Sequence, residues 1–258
     1  MTTPLDPAAI RLHRQGKGPP LVLLHCLGVD HRLWEIAAAG LENTFTILSY
    51  DFPGHHETPL PTGAYGIAEL SAQLASVLAR AGIARAHVAG ISLGGLVAQH
   101  FAATYPERVD RLVLIDTTPR YAEEAREMWV ERAAAARAKG VASLVDGLLK
   151  IWFTDPFIAA DPAAVRYVRE TLRRCSGEGY ALACAALGAA DLRAIVPKIG
   201  APTLIFCGDQ ELPPFQEAAQ WLTRNIDGAR FHELGPARHC SILEQPQAFR
   251  QALKEFLA

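Results

Sequence analysis

The feature that most constrains the fold is a regular alternation of short apolar runs with longer segments of helical periodicity. Each apolar run has the length of a strand and ends in a loop. Between two of these runs, Ile67, Leu70 and Leu74 recur at the spacing of one helix face. Strands that are apolar throughout, separated by helices, predict a mostly parallel sheet with helices on both faces. The predicted strands are 20–25, 45–50, 86–91, 111–116, 202–207 and 229–234.

The alternation stops between residues 121 and 191, where no strand pattern occurs. Stretches rich in Ala, Arg and Glu predict helices there, at 122–139, 141–153, 162–175 and 179–187. A length of 258 residues falls between one domain and two. We therefore predict one α/β core, residues 1–120 and 192–258, with a helical lid inserted at 121–191.

Composition excludes several classes of protein. The chain is 50% hydrophobic and 20% charged, which is ordinary for a globular protein. A formal net charge of −2 gives no electrostatic reason to bind nucleic acid or a membrane surface. No apolar run has the roughly 18 residues of a membrane span, and the first residues show no signal-peptide pattern. The 5 scattered cysteines indicate reduced thiols, which are typical of a cytoplasmic protein. We expect a monomer or homodimer that acts on a small molecule.

A nucleophile is predicted at Ser92, in the sequence Gly90-Ile91-Ser92-Leu93-Gly94. The pattern G-x-S-x-G places a serine on a tight turn between a strand and a helix, where only small residues fit two positions away on either side. The strand pattern before it and the helix pattern after it support this interpretation. Such a turn presents the hydroxyl at the positive end of the following helix.

A serine is a weak nucleophile at neutral pH, so it needs a base. His239 follows the last predicted strand and is placed to reach across the sheet. An acid is expected after the strand 202–207, where Glu211 has the better spacing and Asp209 is the alternative. Asp116, at the end of the preceding strand, is a third candidate.

Acyl transfer also needs two N–H donors for the developing oxyanion. We expect these from Leu93, directly after the nucleophile, and from Leu27 in the loop after the first predicted strand. Three aromatic residues of the predicted lid, Trp129, Trp152 and Phe153, are candidates for the substrate pocket. The chemistry requires no metal and no organic cofactor.

Several segments together resemble the α/β-hydrolase superfamily, over essentially the whole chain. The chain order of serine, acid and histidine matches that family, as do H-x-x-G at 25–28, D-x-x-G-H at 51–55 and H-x-x-x-x-E-x-P at 239–246. Within it, the Ser-Leu-Gly-Gly turn and the lid segments at 152–154 and 178–180 look most similar to 3-oxoadipate enol-lactonases. The resemblance implies a serine hydrolase of a small carboxylic ester or lactone.

The chain departs from the family in two places. The loop 51–58 lacks the usual arginine and second glycine and has Pro53 and His56 at those two positions. In enol-lactonases a basic residue often precedes the lid tryptophan, whereas here Ile151 precedes Trp152 and Lys150 lies one position further back. Two alternatives therefore stay open. One is a carbon–carbon bond hydrolase or perhydrolase using the same residues, and the other is a signalling or binding protein with a hydrolase fold.

Overall fold

The computed structural model describes residues 7–258; the first residues, on which the signal-peptide expectation depends, lie outside this range. In it, seven strands form one sheet in the order β1-β3-β2-β4-β5-β6-β7. All neighbouring pairs are parallel except β1 with β3. The predicted fold class, a mostly parallel α/β sheet with helices, is confirmed. The strands are β1 His13–Gly16, β2 Pro20–Leu24, β3 Thr46–Ser49, β4 Ala86–Ile91, β5 Val109–Ile115, β6 Thr203–Gly208 and β7 Arg230–Leu234.

Eleven α-helices connect or follow the strands within residues 7–258. Three of them accompany the first five strands: α1 Leu33–Ala37, α2 Ile67–Arg80 and α3 Leu93–Thr104. Three follow β6 or β7: α9 Pro213–Asn225, α10 Ser241–Glu244 and α11 Pro246–Leu257. The other five lie between β5 and β6: α4 Glu123–Lys139, α5 Val145–Trp152, α6 Asp155–Ala159, α7 Ala163–Arg174 and α8 Gly177–Ala189.

The start of α2 shows how local sequence sets these boundaries. The Glu69 carboxylate accepts the N–H of Gly66 at 2.8 Å, which satisfies a donor that the first turn of a helix leaves free. Ile67, Leu70 and Leu74 are buried on one face of the helix, as their spacing predicts.

The edge strand β1 was not predicted from the sequence. Its residues, His-Arg-Gln-Gly, contain no apolar residue, and their burial pattern is mostly exposed. Backbone pairing with β3, from His13 opposite Ser49 to Gly16 opposite Thr46, holds the strand in place. A strand that forms through its backbone alone leaves no hydrophobic pattern to read.

The five helices between β5 and β6 begin and end at neighbouring points of the core. An antiparallel bridge pairs Arg120 with Asp191. Directly beside it, the N–H of Leu192 donates to the Pro119 carbonyl at 2.9 Å. These contacts support the insertion predicted at 121–191, although the division into core and lid stays a prediction. Over residues 7–258, no helix is both long enough and apolar enough to cross a membrane.

Candidate active site

Ser92 occupies a strained turn between β4 and α3. Its backbone adopts φ 53° and ψ −112°, which is rare for a residue with a side chain. A Cβ added at Gly90 would collide with the Gly94 carbonyl, and one added at Gly94 would collide with the Leu24 carbonyl. The turn is held by the Ser92 N–H, which donates to the Ile115 carbonyl at 2.9 Å. This steric crowding explains the glycine spacing of the motif.

Three side chains meet at the carboxyl end of the sheet. The Ser92 Oγ lies 3.0 Å from Nε2 of His239, and Nδ1 of His239 lies 2.5 Å from Oε2 of Glu211. Because a carboxylate only accepts, the neutral His239 ring carries its proton on Nδ1, and Nε2 is then the acceptor for the serine hydroxyl. All three residues are buried. This is the geometry that a nucleophile, a base and an orienting acid require.

The pKa of His239 is set by two opposing effects. Burial lowers it, but the charge and hydrogen bond of Glu211 outweigh burial and raise the pKa to about 9. Glu211 thus stabilises the protonated form of the His239 ring.

The two other candidate acids form their hydrogen bonds with groups other than the His239 ring. Asp209 accepts the N–H of Ala237 at 2.8 Å through Oδ1 and so braces the loop before His239. Asp116 accepts the Ser241 hydroxyl at 2.6 Å and the Gly208 N–H at 3.0 Å. Both carboxylates therefore fix loops of the site, whereas only Glu211 contacts the imidazole.

Asp116 is buried beneath the site and has an unusual environment. Burial raises its pKa above the usual range, and the nearby Glu211 carboxylate raises it further. Through Gly208 and Ser241, Asp116 joins the loop that contains Glu211 to the loop that contains His239. It is placed to maintain the distance between these two side chains.

Both residues expected to form an oxyanion hole border Ser92. Leu93 opens α3, so its N–H has no partner within the helix. Leu27 lines the same cavity as Ser92 and His239. The loop that contains Leu27 is braced by His55, whose Nε2 accepts the Gly28 N–H at 3.1 Å. His25 braces the chain just before Leu27. Its Nδ1 donates to the Cys26 carbonyl at 2.8 Å, and its Nε2 accepts the Phe52 N–H at 2.9 Å.

A cavity of about 90 Å³ opens beside Ser92 and His239. Trp129 and Trp152, two of the predicted pocket residues, line it. The third, Phe153, does not: it is fully buried and packs on Phe157 with ring centroids 5.5 Å apart. Phe153 follows the last residue of α5 with extended backbone, and this change of direction turns it away from the cavity. The remaining lining residues are Leu27, Tyr121, Met128, Arg132, Ile151, Leu212 and Phe215.

Sequence reasoning missed Arg132, the lining residue with a permanent charge. Its guanidinium lies over the Trp129 ring, 4.7 Å from the centroid. The spacing of three residues between them on α4 places both on one helix face, which is the signal that was available. Ile151 also lines the cavity, whereas Lys150 is exposed.

The loop of His239 is tied to the helices between β5 and β6. The Cys240 N–H donates to the Trp152 carbonyl at 2.9 Å. The buried Glu244 accepts the Thr154 hydroxyl at 2.6 Å and the Arg238 N–H at 2.8 Å. The loop of His239 and one wall of the cavity are therefore held as one unit.

Comparison with known families identifies the class of protein to which this fold and the strained turn at Ser92 belong. The family model described as the alpha/beta hydrolase fold matches residues 19–246. The chain therefore belongs to the α/β-hydrolase family, as its motifs predicted.

Individual relatives narrow the resemblance. The 3-oxoadipate enol-lactonase 2 of Acinetobacter baylyi is 31% identical, over 93% of this chain and 89% of that protein. A pimeloyl-acyl-carrier-protein methyl ester esterase of Chromobacterium violaceum is 32% identical, over 94% of this chain and 95% of the esterase. The crystal structure of the enol-lactonase from Burkholderia xenovorans LB400 has a TM-score of 0.92, 34% identity and 96% coverage of both chains. The predicted similarity to 3-oxoadipate enol-lactonases is confirmed.

Proposed function

We propose that this protein is a serine hydrolase of small carboxylic esters or lactones that carry an anionic group. The observation that supports this most directly is the hydrogen-bonded line from Glu211 through His239 to Ser92, which opens into the cavity containing Arg132. The similarity to enol-lactonases and to a methyl ester esterase points to the same bond type.

The geometry suggests a sequence of steps. Ser92 attacks the substrate carbonyl while Nε2 of His239 takes the hydroxyl proton, and Glu211 holds the resulting imidazolium. The N–H groups of Leu27 and Leu93 stabilise the oxyanion. His239 then returns the proton to the leaving oxygen, and a water molecule activated by the same base releases the acid product.

Arg132 suggests the substrate's charge. It is half-buried, and none of the ion pairs between described residues includes it. It contacts the Met128 sulfur at 3.4 Å and the Trp129 ring, but neither is an anionic partner for a charge withdrawn from water. Guanidinium groups bind carboxylates with well-defined geometry. A substrate carboxylate beside the scissile ester would supply the partner, which matches an anionic lactone such as 3-oxoadipate enol-lactone.

The test is a panel of esters and lactones in matched pairs, each with and without a free carboxylate, assayed against wild type and Arg132→Met. We expect the variant to raise KM for the anionic member by about 10- to 100-fold, the value of one charged hydrogen bond, and to leave the neutral member nearly unchanged. Arg137→Met is the matched control, because Arg137 lies on the same helix but pairs with the exposed Glu178. Equal effects on both members of a pair would contradict an anionic substrate.

Two further assays, one with diketone substrates and one with a fluorophosphonate probe, test the alternatives left open by the sequence. Turnover of diketones but not of esters would indicate carbon–carbon bond hydrolysis. A fluorophosphonate probe that fails to label Ser92 would favour a binding protein.

A further inference from the structure

A second group of chemically active side chains lies at the β1 edge of the sheet, away from Ser92. His13 begins β1, His31 lies in the loop after β2, and Asp51 follows β3. One ring nitrogen of each histidine and one oxygen of Asp51 all lie within 4.8 Å of one another. Glu57 adjoins them, with its Oε2 3.1 Å from Nε2 of His13. We call His13, His31, Asp51 and Glu57 the edge cluster.

The Asp51 carboxylate is oriented by the backbone around it. Its Oδ1 accepts the His31 N–H at 2.8 Å, and its Oδ2 accepts the Glu57 N–H at 3.3 Å. Metal ligands in proteins are typically oriented by hydrogen bonds of this kind. Asp51 is buried, and its carboxylate is held facing the His31 ring, 2.9 Å from Nδ1.

The donor atoms match a transition-metal cation of intermediate softness. Two imidazoles and two carboxylates are ligands that Zn²⁺ accepts in a tetrahedral arrangement. Zinc bonds of this type place neighbouring ligand atoms about 3.4 Å apart. The two pairs that are now hydrogen-bonded, His31 with Asp51 and His13 with Glu57, are 2.9 and 3.1 Å apart. Within each pair, replacing the proton by an ion needs the two atoms to separate by only a few tenths of an ångström.

One ring must turn for all four donors to converge. The rings of His13 and His31 are stacked, with centroids 3.7 Å apart and planes 14° apart, whereas nitrogen lone pairs lie in the ring plane. His13 is the ring with more room to turn, since its side chain is 25% exposed on an edge strand and that of His31 is 9% exposed. Glu57, its partner at 3.1 Å, is itself partly exposed and can move with it. A cavity of about 150 Å³ beside both rings provides the space.

The edge cluster shares the loop 51–58 with His55, which braces the loop that contains Leu27. None of the four cluster residues takes part in the proposed reaction. Asp51 begins the loop in which His56 takes the place of the family's glycine, at a positive φ of 40°. The same loop contains His55, which accepts the Gly28 N–H. An ion at the edge cluster would fix this loop against β1.

We propose that the edge cluster binds one divalent transition-metal ion, with Zn²⁺ as the best match, and that the ion stabilises the loop 51–58 against β1. The proposal concerns folding stability and does not depend on the reaction at Ser92.

The test uses the tag-free full chain, treated with a chelator and titrated with ZnCl₂ in a calorimeter, and with CoCl₂ followed by visible absorption. We expect one equivalent to bind, with tetrahedral cobalt bands, and Zn²⁺ to raise the midpoint of thermal unfolding. His13→Gln and Glu57→Gln are partly exposed and should fold, and each should weaken zinc affinity by at least about 10-fold. Both should also reduce the thermal shift produced by a given zinc concentration.

The matched control is His100→Gln, on α3, whose ring contacts Thr104. It should bind Zn²⁺ as the wild type does. Absence of zinc binding by the wild type would overturn the proposal. So would binding that His13→Gln leaves intact, because the ion would then be held elsewhere.

Discussion

Two histidines in this chain place Nδ1 against a buried carboxylate, and they differ in what lies on the other side of the ring. His239 meets Glu211 at 2.5 Å, and His31 meets Asp51 at 2.9 Å. Beyond His239 is the Ser92 hydroxyl, 3.0 Å from Nε2. Beyond His31 is another imidazole, His13, stacked face to face. The same pair of groups thus faces a serine hydroxyl in one place and a second imidazole in the other.

Position in the sheet explains the difference. Ser92 follows β4, the central strand, and loops after β6 and β7 bring Glu211 and His239 across to it. Ligand sites in open α/β sheets form at the carboxyl ends of such strands. Asp51 and His31 follow β3 and β2, and the next strand outward is the antiparallel β1, which places His13 beside them.

Removing the nucleophile gives the largest expected effect and tests one side of the comparison. Ser92→Ala should lower kcat/KM for a good ester substrate by at least about 1,000-fold, because the remaining groups supply only binding and oxyanion stabilisation. Labelling by a fluorophosphonate probe should disappear. The control is Ser76→Ala on α2, where the hydroxyl only contacts the Ala72 carbonyl. Retained esterase activity in Ser92→Ala would exclude this mechanism.

Exchanging Glu211 tests which of two carboxylates, Glu211 or Asp209, acts on His239. Glu211→Gln should lower kcat by about 100- to 10,000-fold, since the amide cannot stabilise the imidazolium. The pKa of His239 is raised by Glu211, and the base acts when neutral. The variant should therefore shift the acidic limb of the kcat/KM profile to lower pH.

The matched control is Asp209→Asn, which keeps an oxygen to accept the Ala237 N–H. It should retain activity within about 3-fold and show no shift of the limb, because a surface hydrogen bond is worth little. If Asp209→Asn lost as much activity as Glu211→Gln, the assignment of the acid would be wrong.

Asp116 gives a smaller effect, through position alone. In Asp116→Asn an amide N–H would face donors from Gly208 or Ser241, so the two loops should separate slightly. We expect kcat to fall by about 10-fold with little change in KM, since small misplacements of reacting groups are costly. Asp110→Asn is the control, because Asp110 lies on β5, the strand that ends just before Asp116, but is paired with the exposed Arg85. An unchanged kcat in Asp116→Asn would show that the loops hold their spacing without it.

The sequence predicted most of the core because its strands are buried and uniformly apolar. Helix α3 begins and ends at the predicted residues 93 and 104, since the glycine turn and Pro106 mark its two ends. Strand β1 has no such signal, because its backbone alone pairs with β3. The short helices α1, α6 and α10 were also missed, since one turn or little more shows no periodicity.

The site was partly accessible for the same kind of reason. Chain order and loop position singled out Ser92, His239 and Glu211, which the structure places in contact; their catalytic roles stay a prediction. Arg132 was overlooked because a charge on a polar helix usually faces solvent. His13, His31 and Asp51 belong to or follow three different strands. Their contacts therefore could not be predicted from local sequence spacing.

The smallest expected effect is the pH dependence of the free energy of unfolding, which tests the ion pair between His31 and Asp51. The pKa of Asp51 is held below its usual range: burial raises it, but His31 lowers it more. Its contribution to stability is therefore present above pH 3.8 and is lost as the pH falls further. For His31, burial lowers the pKa but Asp51 raises it above 6.5, so this contribution is complete below pH 6.5 and is lost as the pH rises through the raised pKa. Compared with His31→Gln, which keeps an N–H donor without the charge, wild type should gain about 1 kcal/mol of unfolding free energy between these limits. Urea unfolding with a chelator present measures the difference, and a difference that stays constant from pH 3 to 9 would show that the two side chains are not ion-paired.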